Sequence, residues 1–162
     1  MNSRTRKVVH ASGVAMALAV LTVTTAAMAF SRDLSGAWTL PGGEGVLIVH
    51  NPNSGAATFT MPASLPSMGI NRLQFCANVF GTKGLDGDSS ANDFVFAGDM
   101  EPVSFGAKSA TCTTEGTIGG VGTVLGQIPN RKLRMECRMR LNIKCEDGTK
   151  KKTDLDCSGD WR

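Results

Sequence analysis

The sequence predicts an all-β chain: a single antiparallel β-barrel, or a sandwich, of about eight to nine strands, stabilised by disulfides and ending in a long C-terminal hairpin. Three observations predict it. Residues 133 to 145 alternate without error, with Leu133, Met135, Cys137, Met139, Leu141, Ile143 and Cys145 apolar and every residue between them polar. Upstream, short runs rich in Val, Ile, Thr and Phe are separated by Gly, Pro and Asn clusters, with no helical periodicity. Five cysteines follow a segment that has the pattern of an export signal.

That signal comes first in the chain. Arg4, Arg6 and Lys7 precede an uncharged apolar stretch from Val14 to Ala27, and Ala27-Met28-Ala29 supplies the small residues of a cleavage site. The expected organisation is a cleaved signal peptide over residues 1–29 and one β domain over residues 30–162. The apolar stretch is shorter than the roughly 20 residues that span a bilayer, so no transmembrane anchor is expected after processing. There is no Asn-x-Ser/Thr sequon, which points to a bacterial periplasmic or secreted setting. Removing the signal removes three cations and no acids, so the formal charge falls from +3 to zero. A field that would gather nucleic acid or acidic membrane is therefore not expected.

Candidate strands then run over Gly36 to Leu40, Gly45 to His50, Ala56 to Met61, Leu73 to Phe80, Asp93 to Gly98, Ser109 to Glu115 and Gly122 to Ile128. The last two form the hairpin. After residues 133 to 145 the chain turns at Glu146-Asp147-Gly148 and returns through Leu155, Cys157 and Trp161, with acids at even positions. A three-residue loop with Gly148 in the left-handed conformation sets Arg140 opposite Asp154, Arg138 opposite Asp156 and Arg134 opposite Asp160. A slip of one residue loses all three pairs and turns the apolar face to water. The same register leaves Lys150, Lys151 and Lys152 as an unpaired cluster.

The register also places Cys137 beside Cys157, predicting a disulfide. Cys137 and Cys145 cannot bond, because one straight strand holds them about 26 Å apart, against roughly 4.4 to 6.8 Å for a bridged pair. Cys76, Cys112 and Cys145 can supply one more bond, with Cys76 to Cys112 preferred.

Gly36-Ala37-Trp38, within Asp33-Leu34-Ser35-Gly36-Ala37-Trp38-Thr39, resembles the Gly-x-Trp opening of lipocalins, avidins and their calycin relatives. The resemblance implies an up-and-down barrel with Trp38 at its closed end and a basic residue from a late strand, Arg134 or Arg162, packed over it. Bacterial inhibitors of secreted metalloproteases have a similar small barrel and a similar Leu-Ser-Gly-x-Trp opening, which implies a different function for the same residues.

Histidine limits the chemistry. His10 leaves with the signal, so His50 alone could serve a catalytic triad, and a multi-histidine zinc site is impossible. His50 ends a strand before a turn and reads as an ordinary exposed residue. Asp86 to Asp93 has oxygen side chains at calcium-loop spacing, but Ala91 and Ala97 stand where the required glycine and closing glutamate belong. The glycines between Glu115 and Gly126 match no nucleotide-binding motif and read as places of close strand approach or bends. No catalytic residue, metal or cofactor is expected.

Two apolar features remain. Met135 and Met139 lie on the inner face of the hairpin, and methionine adapts to varied apolar ligands. The segment from Met61 to Ile70, with Leu65 and Met68, reads as a proline-interrupted loop that covers a barrel mouth or inserts into a partner. The expectation is an exported, non-enzymatic binding protein that holds a small apolar ligand with Trp38, Met61, Leu65, Met68, Met135 and Met139. The alternative is a protein-protein module, such as a protease inhibitor or envelope assembly factor, using the 61–70 loop or the Lys150 to Lys152 turn.

Overall fold

The computed structural model describes residues 28–65, 70–82, 91–107 and 110–162. Residues 1–27 of the proposed signal peptide and the Asp86 to Ser90 part of the acidic loop lie outside the described residues. Nine strands form one antiparallel sheet: β1 (Gly36–Thr39), β2 (Gly45–His50), β3 (Ala56–Leu65), β4 (Ile70–Gly81), β5 (Asp93–Ala107), β6 (Ala110–Leu125), β7 (Lys132–Cys145), β8 (Lys150–Asp156) and β9 (Gly159–Trp161). Each strand from β1 to β8 pairs with the next, and β9 pairs with β7 in line with β8. The seam is drawn together where Thr39 and Arg162 exchange backbone hydrogen bonds of 2.7 and 3.1 Å. The architecture is a nearly closed barrel, which settles the choice between barrel and sandwich.

The terminal hairpin has the register that its charges require. Arg140 faces Asp154, Arg138 faces Asp156 and Arg134 faces Asp160, while Leu133 meets Trp161 on the inner face. Gly148, at φ +86°, takes the left-handed turn position. Arg134 bonds Asp160 at 3.1 Å and Arg140 bonds Asp154 at 2.9 Å. Asp156 instead accepts the Ser158 N–H at 2.9 Å, where the chain steps from β8 to β9.

Three expectations about elements are corrected. The runs expected at 109–115 and 122–128 are joined in one strand, β6, which ends at Leu125 and is paired on both sides through Gly116, Gly119, Gly120 and Gly122. A Cβ at Gly120 would run into the Glu136 carbonyl and stand 2.9 Å from the Cys137 Cα, so glycine here admits the neighbouring strand. Second, β5 does not stop at Gly98 but continues to Ala107, shifting register between Met100 and Val103 where Pro102 cannot donate a ladder bond. Third, Met61 to Leu65 and Ile70 are not loop; they lengthen the β3–β4 hairpin. Pro62 pairs with Arg72 of β4, beyond the residues of β3 that pair with β2, so it sits on an open edge where its missing N–H costs nothing. Residues 66–69 lie outside the described residues.

The disulfide Cys137–Cys157 forms, with Cα atoms 4.9 Å apart. The preference for Cys76 with Cys112 is overturned: Cys112 bonds Cys145 and Cys76 is an exposed free thiol. The reason is the pleat. In β4 the odd residues Leu73, Phe75, Ala77 and Val79 point inward, which turns Cys76 outward, whereas Cys112 and Cys145 are direct cross-strand partners.

Candidate functional site

The barrel interior brings together four of the six residues expected to hold a ligand. Trp38, Met61, Met135 and Met139 are all buried in one apolar core. Leu65 is placed only as the end of β3, and Met68 lies outside the described residues. Around the four, Phe59, Phe75, Phe94, Phe96 and Trp161 are fully buried. Phe30, Phe94, Phe96 and Phe59 form a chain of ring contacts with centroids 5.0, 6.1 and 5.3 Å apart. At Gly122 a Cβ would meet the Phe94 ring and stand 2.7 Å from the Met135 sulfur, so those side chains occupy the room that the glycine leaves.

A strap of residues 30 to 35 is held to β4 and β2, its Phe30 N–H on the Val79 carbonyl at 3.2 Å and its Leu34 N–H on His50. Phe30 and Leu34 are 2 % and 0 % exposed. Trp38 Nε1 donates to the Leu34 carbonyl at 3.0 Å. The basic partner of Trp38 is Arg131, not Arg134 or Arg162. Its guanidinium lies 4.7 Å from the Trp38 ring centre and donates to the carbonyls of Asp33 and of Ser35, the latter at 3.0 Å. Arg131 precedes β7 by one residue, in the loop that joins β6 to β7, whereas Arg134 faces outward and is taken by Asp160. Only the position of Arg131 in that loop could have marked it in the sequence.

His50 is corrected as well. It is 6 % exposed, not a surface residue. Its Nδ1 accepts the Leu34 N–H at 3.3 Å, its backbone N–H donates to Ser35 Oγ at 3.0 Å, and that hydroxyl donates back to the His50 carbonyl at 3.2 Å. Burial pushes the imidazole below its ordinary range, against the raising influence of the Asp33 carboxylate and the Arg32 carbonyl. His50 thus fastens the strap as a neutral ring. Its Nε2 has no hydrogen-bond partner among the described residues. Among the described residues, no three His, Cys, Asp or Glu side chains are grouped to hold a metal.

The outer surface is divided by charge. Along β1 to β3, the outward residues include Ala37, Thr39, Leu47, Val49, Thr58 and Thr60, with Leu47 and Val49 strongly exposed. An open groove of about 440 Å³ runs there from Trp38 to Arg72. Across β7 to β9, cations and anions face one another in rows as far as Arg140 and Asp154. Above that row the order breaks: Lys152 faces Asn142, and Lys150 faces Lys144. Lys144 reaches Glu115 at 2.8 Å. These residues line an open groove of about 280 Å³ together with Ile143 and Lys151.

Together these features define an all-strand, nearly closed antiparallel barrel, consistent with a calycin-like fold. Comparison with known protein families, with curated proteins and with solved structures finds no match in any of the three. Two disulfides indicate folding in an oxidising environment, and among the described residues no helix is long and apolar enough to cross a membrane.

Proposed function

We propose that this chain is an exported, non-enzymatic module, periplasmic or secreted, that binds a protein partner through the outside of its barrel. The observation that carries the reading is the concentration of buried aromatic side chains in the interior, Phe59, Phe75, Phe94, Phe96 and Trp161, with Phe30, Phe94, Phe96 and Phe59 in ring contact. A container for a ligand of ordinary size needs roughly 300 Å³ or more of enclosed space, and aromatic rings packed against one another within the core work against that. The grooves on the outer face, by contrast, are open and border exposed apolar and cationic side chains.

A second reading, the calycin-like container for a small apolar ligand, draws on one specific observation. Thr114, flanked in the sheet by Val103 and Ile143, is fully buried, yet among the described residues its hydroxyl has no hydrogen-bond partner. A ligand carrying one polar atom on an apolar body would satisfy that hydroxyl from within the apolar core.

Native mass spectrometry of the protein taken from its own compartment separates the two. A bare chain, or a complex heavier by the mass of a protein, supports the module. A small added mass that leaves on unfolding supports the container and overturns the first reading.

A further inference from the structure

We propose that the free edge of β8 is a docking strip for an extended acidic peptide segment, which adds to the sheet as a further antiparallel or parallel strand. The proposal rests on the protein-binding reading and names its surface and the chemistry of its partner.

The first support is an edge left open by the way the barrel closes. Along β9 the seam is occupied, because Arg162 is hydrogen-bonded to Thr39 and a Cβ at Gly159 would run into the Pro41 ring. Along β8 it is not. Lys150–Asp156 pairs with β7 on one side, and among the described residues no strand pairs with the other. Lys150, Lys151 and Lys152 are exposed throughout. Such an edge presents unpaired N–H and C=O groups, the template on which an extended peptide is added.

Charge is the second, independent support. The lower rows of the hairpin match cation to anion, whereas the upper rows set Lys150 opposite Lys144 and Lys152 opposite Asn142. Like charges directly opposite work against the sheet. Glu115 answers Lys144 alone. Of the nearby acids, Glu146 accepts the Thr111 N–H of β6 at 3.4 Å and Asp147 the Thr149 N–H of the turn at 2.8 Å. Among the described residues no ion pair is formed by Lys150, Lys151 or Lys152. An incoming strand with acids at alternate positions would place them beside Lys150 and Lys152 on the outer face.

The edge also has a direction. Its turn end is cationic and its far end carries Asp154 and Asp156, so the acidic part of a partner belongs at the turn and a neutral or basic part beyond it. A second copy added in parallel would set these lysines against its own and be repelled, whereas one added antiparallel would set them against Asp154 and Asp156.

The test uses the folded, oxidised protein and a labelled synthetic peptide alternating Glu and Val. Its controls are the same peptide N-methylated at alternate backbone amides, and a heparin fragment. Binding at low salt that weakens at least tenfold with N-methylation, and at least tenfold in the Lys150→Ser/Lys151→Ser/Lys152→Ser variant, supports strand addition. The variant's unfolding midpoint shows that it is folded.

Equal binding of the N-methylated peptide, or equal competition by heparin, overturns the proposal in favour of a simple polyanion patch. No peptide binding at millimolar concentration also overturns it. If in that case the triple variant dimerises, the lysines serve only to guard the edge. None of these outcomes sinks the protein-binding reading, which fails only if a small ligand is found in the native mass.

Discussion

The guanidinium of Arg131 stands 4.7 Å from the centre of the Trp38 ring while it bonds two carbonyls of the strap, so one side chain ties β1, the strap and the approach to β7 together. Arg131→Ala removes a cation–π contact and two charge-assisted hydrogen bonds, an expected loss of about 1 to 3 kcal/mol. Arg131→Lys keeps the charge but lacks the fork that reaches both carbonyls, and belongs between the two. Urea unfolding followed by tryptophan fluorescence measures the order. Equal midpoints for wild type and Arg131→Ala would refute the tie.

Stability declines on mild acidification because of His50. The folded chain keeps its imidazole neutral below the usual 6.5, with Nδ1 accepting from Leu34. The unfolded chain takes up that proton first, so the contribution is complete above about pH 6.5 and is lost as pH falls from there to the folded value. In His50→Asn the amide oxygen can replace Nδ1 as acceptor and does not titrate. Denaturation midpoints at about pH 7 and about pH 5 are expected to differ in wild type and to converge in His50→Asn. Asp33, Asp154 and Asp156 are held below their usual 3.8, so their loss belongs to a separate, more acidic window.

Thiol titration of the unfolded, unreduced chain is expected to find one reactive group, Cys76, which already reacts in the folded state. Replacing Cys112 with Cys145, or Cys137 with Cys157, by paired serines opens links that span 33 and 20 residues. Each loss is expected to cost about 3 to 4 kcal/mol, the longer link slightly more. Three reactive thiols in the unreduced chain would show that one of the two bridges is absent.

Glycines on this sheet separate into those that let strands meet and those that do not. Gly120→Ala drives a methyl into the Glu136 carbonyl of β7 and is expected to cost about 1 to 3 kcal/mol. At Gly106 no atom lies within 4 Å of the new Cβ, and Gly106→Ala should stay within about 0.5 kcal/mol of wild type. Thermal melts of the two variants make the comparison; similar losses would disprove the close approach of β6 and β7.

How far the fold was legible depended on the range of the interaction. The hairpin of β7 with β8 and β9 could be read because its two arms carry matching charge, apolar and cysteine patterns around a short turn. The pairing of Cys112 with Cys145 could not, since it depends on the register of β6 against β7, where glycines leave no side-chain pattern to match. His50 was misjudged for a related reason: its burial comes from the strap at Leu34 and Ser35, which no local pattern announces. Of the expected ligand residues, Trp38, Met61, Met135 and Met139 do face inward, as alternation requires, but alternation says nothing about whether the space between them is filled.

Both disulfides end on β7, and this changes how the molecule would carry tension. If the chain is pulled from positions before Cys112 and after Cys157, the shortest covalent route enters β7 at Cys145, runs backward to Cys137 and leaves through Cys157. The alternative route, onward from Cys145 through β8, is longer and stays slack. Under load β7 is therefore drawn taut against its own chain direction, and the turn that carries Lys150 hangs outside the line of force.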